Sequence, residues 1–271
     1  MRFEKWQALG NDYLIFEEVE LTPRTIRTLC DPHFGPGADG VLVLQKPDAP
    51  GFVARLRIFN PDGSEAELSG NGAREAILYL RRSGWTDADT FSIQTNAGEI
   101  RPTITGPTTC RVDMGRATLT SPNFPQGAKD GQGELYGYRF QHVTIGNPQC
   151  AIRVSDPDAI DLAAEGPRIE HAAIFPNRTN VSFWKELDAS TIRARIFERG
   201  VGETLSSGTG ASGAAVAHVL RGGDSPVTVK LDGGELTVDV DESLHVDLTG
   251  WAVPIYRGEL SEEFKTHMEA E

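Results

Sequence analysis

An internal repeat constrains the fold of this chain more than any other feature of its sequence. Residues 55–76 align without a gap with residues 193–214, at a constant offset of 138 residues. Ten of the 22 aligned positions carry the same amino acid in both copies. In the first copy these residues are Arg55, Arg57, Ile58, Phe59, Glu65, Ser69, Gly70, Gly72, Ala73 and Ala76. A chain that repeats itself in this way is predicted to fold into two similar halves.

Three shorter matches extend the repeat on both sides of this block, in the same order in each copy. They pair Leu9-Gly10-Asn11 with Ile145-Gly146-Asn147, Gly98-Glu99-Ile100 with Gly234-Glu235-Leu236, and Val112-Asp113-Met114 with Val246-Asp247-Leu248. Residues 119–133 are rich in glycine, proline and polar side chains, which is typical of a linker. We therefore predict a first domain over residues 1–118 and a second over residues 119–251. We expect a strand within residues 252–271 to cross back to the first domain.

The secondary-structure signals are mainly those of strands. Residues 55–60 and 193–198 alternate polar and apolar side chains, and residues 227–231, 235–240 and 244–248 form short strand patterns joined by turns. Alanine- and leucine-rich helices are predicted over residues 73–82 and 211–221, and Thr22-Pro23 is typical of a helix start. The predicted fold class is α/β of the α+β type. Each pseudo-symmetric domain is a curved, mainly antiparallel sheet wrapped around a central helix.

The composition excludes several classes of function. The formal net charge of −13 disfavours non-specific binding to nucleic acid and to an anionic membrane surface. No apolar run approaches the roughly 20 residues that span a bilayer, and the first residues lack the apolar core of a signal peptide. The cysteines Cys30, Cys110 and Cys150 show no metal-binding spacing. We therefore expect a cytoplasmic protein that holds no metal.

A Ser-Gly-x-Gly turn precedes the predicted helix in each copy, at residues 69–72 and 207–210. Glycine lets the backbone approach a ligand closely, and the N–H groups at a helix start attract anions such as carboxylates. The simpler interpretation is that Ser69 and Ser207 only cap their helices, as serine does well. Because both copies retain the whole strand–turn–helix unit, we expect the two turns to bind a carboxylate.

Two nearly equivalent half-sites suit a reaction with nearly symmetric demands. Racemisation of an α-carbon needs one group that removes a proton from one face and a second group that delivers a proton to the other. Half-sites related by a pseudo-twofold axis would supply these two groups. The repeat therefore favours an amino-acid racemase or epimerase.

The motifs of the chain resemble those of the diaminopimelate epimerase family over nearly its whole length. The motifs are Leu9-Gly10-Asn11-Asp12, Gly37-Ala38-Asp39-Gly40, Phe59-Asn60-Pro61-Asp62-Gly63-Ser64, Ser69-Gly70-Asn71-Gly72-Ala73-Arg74, Gly146-Asn147-Pro148, Asn180-Val181, Glu198-Arg199-Gly200-Val201-Gly202-Glu203-Thr204 and Gly208-Thr209-Gly210. The resemblance implies two domains with a sheet around a central helix, and catalysis without pyridoxal phosphate, metal or other cofactor. It also implies conversion of L,L-diaminopimelate to the meso isomer for lysine and peptidoglycan synthesis. A small-molecule substrate is the implied partner, and a homodimer is an assembly that it allows.

The same resemblance assigns roles to individual residues. The positions that match the family's substrate-binding asparagines are Asn11, Asn60, Asn147 and Asn180. Arg199 would pair with the distal carboxylate of the substrate, and Glu198 would contact the distal amine or stand beside an acid–base residue. Backbone N–H groups for the reacting carboxylate would come from Gly70, Asn71, Gly208 and Thr209.

The chain departs from the family at the positions that carry its chemistry. Both acid–base cysteines of the family are serines here, Ser69 and Ser207, and the histidine of its Gly-Asn-Pro-His motif is Gln149. A thiol has a pKa of about 8.5, whereas a serine hydroxyl is a much weaker acid that needs an adjacent base. Since each pKa unit corresponds to about 1.4 kcal/mol, the replacement should slow proton transfer by several orders of magnitude.

Three hypotheses about function follow. In the first, the protein is a diaminopimelate epimerase with Ser69 and Ser207 at the acid–base positions. In the second, it is an isomerase of the same fold with carboxylate-based chemistry, similar to the phenazine-pathway isomerases, in which Glu198, Glu65 or Glu203 carries the proton. In the third, it binds a ligand without catalysis.

Overall fold

The computed structural model describes residues 1–66 and 69–270. These residues form two compact units, of which unit 1 comprises Met1–Val112 with Trp251–Glu271 and unit 2 comprises Asp113–Gly250. The strands are β1 (Arg2–Ala8), β2 (Asn11–Glu17), β3 (Val41–Gln45), β4 (Ala54–Phe59), β5 (Glu65–Ala66), β6 (Ile93–Thr95), β7 (Gly98–Ile100), β8 (Pro102–Gly106), β9 (Thr109–Arg116), β10 (Gln132–Leu135), β11 (Tyr138–Ile145), β12 (Asn147–Arg153), β13 (Asn180–Asp188), β14 (Thr191–Glu198), β15 (Gly202–Thr204), β16 (Val227–Leu231), β17 (Gly234–Val240), β18 (His245–Trp251) and β19 (Val253–Glu259). The helices are α1 (Pro23–Cys30), α2 (Gly70–Arg82), α3 (Leu162–Glu170), α4 (Gly208–Val219) and α5 (Glu262–Ala270).

The sheet of unit 1 has the strand order β19-β1-β2-β3-β4-β6-β7, and β5 pairs with β4. The β2–β3 and β4–β6 pairs are parallel, whereas the other pairs are antiparallel. Helix α2 packs against β1 to β4, and its residues 71–80 are all buried. An apolar cluster of α1 and α5 with alternating strand residues such as Phe3, Leu14 and Phe16 covers the other face. The central position of α2 fixes where its N-terminus, and with it Ser69, lies.

Unit 2 repeats this arrangement in strands β10 to β18. Its strands follow the order β10-β11-β12-β13-β14-β16-β17-β18, with β15 on β14, and the β12–β13 and β14–β16 pairs are parallel. Helix α4 packs against β11 to β14, β16 and β17. An apolar cluster that joins α3 to Cys150, Ile152 and Phe183 covers the other face. The predicted fold class and internal duplication are confirmed.

The repeated elements lie where the sequence predicts them. The strands predicted over residues 55–60 and 193–198 are β4 and β14, and the helices predicted over residues 73–82 and 211–221 are α2 and α4. Both helices begin earlier than predicted, at Gly70 and Gly208, because the glycine turns already have helical geometry. The sequence reading missed α3, which contains Pro167, and α5, which is short and largely polar. In the described part of the chain, no helix is long and apolar enough to cross a membrane.

The turn before β5 supplies a test of the fold, because Gly63 has φ +86° and lies against Pro23. A Cβ atom there would stand 2.4 Å from the Pro23 carbonyl oxygen, whereas Gly51, with φ +93°, has open space around its Cβ position. We expect Gly51→Ala to lower the free energy of unfolding by about 1 kcal/mol through left-handed strain alone. Gly63→Ala should lose at least about 1 kcal/mol more, because the backbone must also move. Urea unfolding of both variants measures this difference, and equal losses would contradict the packing of this turn.

Candidate active site

Ser69 lies at the N-cap of α2, with extended backbone angles of φ −129° and ψ 124°. Its Oγ accepts a hydrogen bond of 3.1 Å from the Gly72 N–H, as a capping serine does. The Tyr13 hydroxyl donates a second hydrogen bond of 3.1 Å to the same oxygen. Sequence reasoning missed Tyr13 because 56 residues separate it from Ser69 and no motif signals the contact.

Ser207 has the equivalent position at the N-cap of α4, with φ −142° and ψ 123°. Its Oγ accepts a hydrogen bond of 3.2 Å from the Gly210 N–H, and its side chain is buried. Both serines therefore cap their helices. Capping also holds each hydroxyl at the positive end of a helix, where a negative charge on the oxygen is stabilised.

Glu198 ends β14 and faces Ser207. Burial raises the pKa of its carboxyl group above the ordinary value of 4.5, and the nearby hydroxyls of Thr204 and Ser207 oppose part of this shift. A carboxylate with a raised pKa is a stronger base than an ordinary one, so it can accept a proton at neutral pH. Glu198 and Ser207 thus form a carboxylate–hydroxyl pair within unit 2.

The other two carboxylates that sequence analysis considered are held in ion pairs. Both Glu65 oxygens accept 2.9 Å hydrogen bonds from Arg57, which holds the pKa of Glu65 below its ordinary value. Glu203 accepts a 2.5 Å hydrogen bond from Arg195, the counterpart of Arg57 in the repeat. Glu65 is a poor proton acceptor because the neighbouring guanidinium stabilises its charged form. The geometry favours Glu198 over both.

Two of the predicted binding residues in unit 1 belong to one chain of hydrogen bonds that starts at the buried Arg74. The Arg74 Nη2 donates to Asn71 Oδ1 at 2.5 Å, and Asn71 Nδ2 donates to Asn11 Oδ1 at 3.2 Å. Asn11 Nδ2 in turn donates to Asp39 Oδ2 at 2.9 Å. The chain fixes the orientation of both amides, since each oxygen has a donor of its own. Asn60 lies apart in an exposed turn, where its Nδ2 donates to Ser64 Oγ at 2.9 Å.

In unit 2, the amide of Asn180 connects strand β12 to the turn after β14. Its Nδ2 donates to the Pro148 carbonyl at 3.0 Å, and its Oδ1 accepts from the Arg199 backbone N–H at 2.8 Å. Asn180 thereby positions Arg199, whose exposed guanidinium donates to the Asn177 carbonyl at 3.1 Å. A single backbone contact leaves most donors of this guanidinium available for a carboxylate.

The residue pairs predicted to bind the reacting carboxylate are the first two residues of the central helices. Gly70 and Asn71 start α2, and Gly208 and Thr209 start α4. N–H groups in the first turn have no acceptor within their own helix, which makes a helix start an anion-binding element. The structure brings Ser69 next to the first pair and Ser207 next to the second.

Gln149 is buried on β12 beside α4. Its Nε2 donates to Asn147 Oδ1 at 2.5 Å, and its Oε1 has no hydrogen-bond partner among the described residues. A Cβ atom at Gly213 would stand 2.8 Å from the Gln149 side chain, so this glycine makes room for it. Position 149 therefore carries a neutral amide that orients Asn147 rather than an imidazole.

None of the three cysteines belongs to the Ser-Gly-x-Gly turns. Burial raises the pKa of Cys30 and of Cys110 to about 12. Cys150 packs in the apolar cluster of unit 2, and burial raises its pKa further. The described residues contain one group with metal-ligand geometry, Asp113, His245 and Asp247, none of which is a predicted site residue. In that group, His245 Nε2 lies 2.9 Å from Asp113 Oδ1.

Comparison with known proteins gives the same family along the chain. Residues 3–120 and 141–253 match the family described as diaminopimelate epimerase. Diaminopimelate epimerase 2 of Nostoc sp. is 40% identical over 97% of this chain and 96% of its own length. The diaminopimelate epimerase of Pelotomaculum thermopropionicum is 41% identical over 96% of this chain and 98% of its own length.

Solved structures with the same fold are more distant in sequence. A phenazine biosynthesis protein of the PhzF family from Bacillus anthracis has a TM-score of 0.69 at 18% identity, covering 96% of this chain and 99% of its own. A probable proline racemase from Agrobacterium radiobacter has a TM-score of 0.67 at 16% identity, covering 96% and 93%. At these identities the likeness establishes the fold alone.

The opposite pKa shifts of Glu198 and Glu65 predict opposite effects of pH on stability. A raised carboxyl pKa means that wild type loses stability as pH rises from 4.5 through the folded-state pKa, so Glu198→Gln should gain stability relative to wild type across that window. A lowered pKa means that wild type gains stability as pH rises towards 4.5. The free energy of unfolding of Glu65→Gln should therefore fall relative to that of wild type over this pH range. Urea unfolding between about pH 3 and pH 8 measures both trends. The same trend in both variants would contradict the assignment.

Proposed function

Because the chain belongs to the diaminopimelate epimerase family, we propose that it interconverts L,L- and meso-diaminopimelate by moving the α-proton. The observation that carries this proposal is the pair of serine-capped helix starts, one in each unit, at Ser69 and Ser207. Each presents a hydroxyl beside N–H groups suited to a carboxylate. We further propose that the reaction takes place in the cytoplasm and serves lysine and peptidoglycan synthesis. We also propose that the two domains are residues 1–118 with 252–271 and residues 119–251. The proposed assembly is a homodimer.

The two ends of the substrate need different partners. The Arg199 guanidinium binds the distal carboxylate in a bidentate contact, and Asn180 holds the Arg199 backbone in place. The N–H groups at the starts of α2 and α4 bind the carboxylate next to the reacting carbon. The side chains of Asn11, Asn60 and Asn147 complete the polar surface around the substrate.

Proton transfer uses a different group in each unit. Glu198 accepts the α-proton, directly or through the Ser207 hydroxyl, because its raised pKa makes it a stronger base than Glu65. The electron pair stays on the α-carbon and is stabilised through the adjacent carboxylate, which the helix starts bind. Ser69 delivers a proton in unit 1, and the reverse reaction exchanges the two roles. Catalysis by these groups requires no cofactor.

Glu198 also supports a second function, that of an isomerase with carboxylate-based chemistry. A buried carboxylate with a raised pKa can shift a proton in a substrate other than an amino acid. Such an enzyme would leave the α-proton of diaminopimelate untouched, and a protein that only binds its ligand would do the same. Binding and turnover must therefore be measured separately.

Substrate binding should depend on Arg199. We expect Arg199→Ala to weaken the affinity for diaminopimelate by at least about 30-fold, because a bidentate charged contact that the bound substrate shields from water contributes about 2–5 kcal/mol. Arg153→Ala is the matched control, since Arg153 is a partly exposed arginine of unit 2 that pairs with Glu186. Titration calorimetry of wild type and both variants measures their affinities for diaminopimelate. Equal affinities for wild type and Arg199→Ala, or no binding of any diamino diacid, would contradict the proposed binding mode.

Thiols at the two capping positions should raise the reaction rate. We expect Ser69→Cys with Ser207→Cys to speed conversion of L,L- to meso-diaminopimelate by at least 10-fold (an order-of-magnitude estimate), because a helix start lowers the pKa of a thiol. Ser207→Cys alone should recover more than Ser69→Cys alone, since Glu198 remains beside position 207. Ser83→Cys is the control, because Ser83 caps the C-terminal end of α2, where the helix dipole has the opposite sign. Chiral chromatography of the products measures the rates, and a double variant no faster than wild type would overturn the proposed chemistry.

A further inference from the structure

Tyr13 connects β2 to the start of α2. It is the third residue of β2, its side chain is buried, and its hydroxyl donates a 3.1 Å hydrogen bond to Ser69 Oγ. A phenol is a far stronger acid than an aliphatic hydroxyl, so a tyrosine beside a serine can both stabilise an alkoxide and supply a proton to it. The contact therefore places a second titratable group directly behind the candidate proton donor.

Two glycines form the slot that holds the Tyr13 ring. A Cβ atom at Gly40 would stand 2.5 Å from Tyr13 Cε1, and a Cβ atom at Gly72 would stand 3.3 Å from Cε2. Gly40 precedes β3, the parallel neighbour of β2. Gly72 is also the residue whose N–H donates the capping hydrogen bond to Ser69 Oγ. Since any larger residue at either position would crowd the ring, this backbone is fitted to a Tyr13 side chain directed at Ser69.

The hydrogen bonds at Ser69 give its hydroxyl a definite polarity. A serine oxygen has two lone pairs, and here they accept from the Gly72 N–H and the Tyr13 hydroxyl. The hydroxyl hydrogen is then what Ser69 can still offer to a ligand. Ser207 differs, because its partner Glu198 is an acceptor rather than a donor.

The repeat does not reproduce this contact. The alignment of Leu9-Gly10-Asn11 with Ile145-Gly146-Asn147 places Gln149 at the position that corresponds to Tyr13. The Gln149 amide donates to Asn147. The phenol is therefore a feature of unit 1 alone, and it makes the two serine positions chemically different.

We propose that Tyr13 is a positioning residue that holds the group at position 69 as a proton donor and resupplies its proton. This inference rests on the proposed function. When the Ser69 O–H bond breaks and a new C–H bond forms at the α-carbon, the phenol proton moves to the Ser69 oxygen and the negative charge passes to the phenolate. Glu198 takes the α-proton from the opposite face of the same α-carbon and later releases it to solvent. The phenolate takes a proton from solvent, so that protons and charge balance over the cycle.

The first test reads the Tyr13 contact without any substrate. In a Ser69→Cys protein, the phenol should stabilise the introduced thiolate, and adding Tyr13→Phe should raise the thiol pKa by about one unit. Ultraviolet absorbance of the thiolate against pH measures the shift. The native thiols give no background near neutral pH, because burial raises the pKa of Cys30 and of Cys110 to about 12 and that of Cys150 further. A Ser207→Cys protein is the control, whose thiol pKa Tyr13→Phe should leave unchanged.

The second test uses the native serine and diaminopimelate. Tyr13→Phe should lower kcat at least 10-fold (an order-of-magnitude expectation) with little change in KM, because the phenol contacts the proton donor and not the substrate. An unchanged thiol pKa in the first test, or an unchanged kcat in an active protein, would overturn the inference. A shifted thiol pKa in a protein that does not turn over diaminopimelate would confirm the coupling of Tyr13 to position 69 and refute the proposed function instead.

Discussion

The first backbone N–H groups of a buried helix need hydrogen-bond acceptors, and this requirement determines where the Ser69 and Ser207 hydroxyls lie. In both units the central helix is surrounded by its sheet, so a side chain must supply an acceptor at the helix start. Ser69 accepts from Gly72, and Ser207 accepts from Gly210. The bond that stabilises each helix also holds a hydroxyl at its positive end, so that stability and reactivity share one contact.

Both units have this capping contact, but the second side chain that lies next to the serine hydroxyl differs between them. Ser69 is backed by the Tyr13 hydroxyl, a donor, and Ser207 is backed by Glu198, a base whose pKa burial raises. In the proposed reaction, this difference makes Glu198 the group that removes a proton and Ser69 the group that delivers one. The duplication thus supplies two similar helix starts, and substitutions at single positions have made them unlike.

The fold and the repeated part of the site could be predicted from the sequence because both depend on local patterns. Strand alternation located β4 and β14, and the Ser-Gly-x-Gly turns located both capping serines. The contact of Tyr13 with Ser69 could not be predicted, because it depends on strand pairing that brings residues 56 positions apart together. The two backbone contacts of the Asn180 amide were equally hidden, because they depend on how β13 lies against β12 and against the turn after β14.

We propose that serine hydroxyls at these helix starts, with Tyr13 beside one and Glu198 beside the other, can still move an α-proton. The most direct test incubates the wild-type protein in D₂O with L,L- and with meso-diaminopimelate and follows the α-proton signal by NMR. We expect loss of the α-proton signal from both isomers, and no loss when Ser69→Ala, Ser207→Ala and Glu198→Gln are combined. A wild-type protein that exchanges no α-proton faster than the protein-free solution would contradict it.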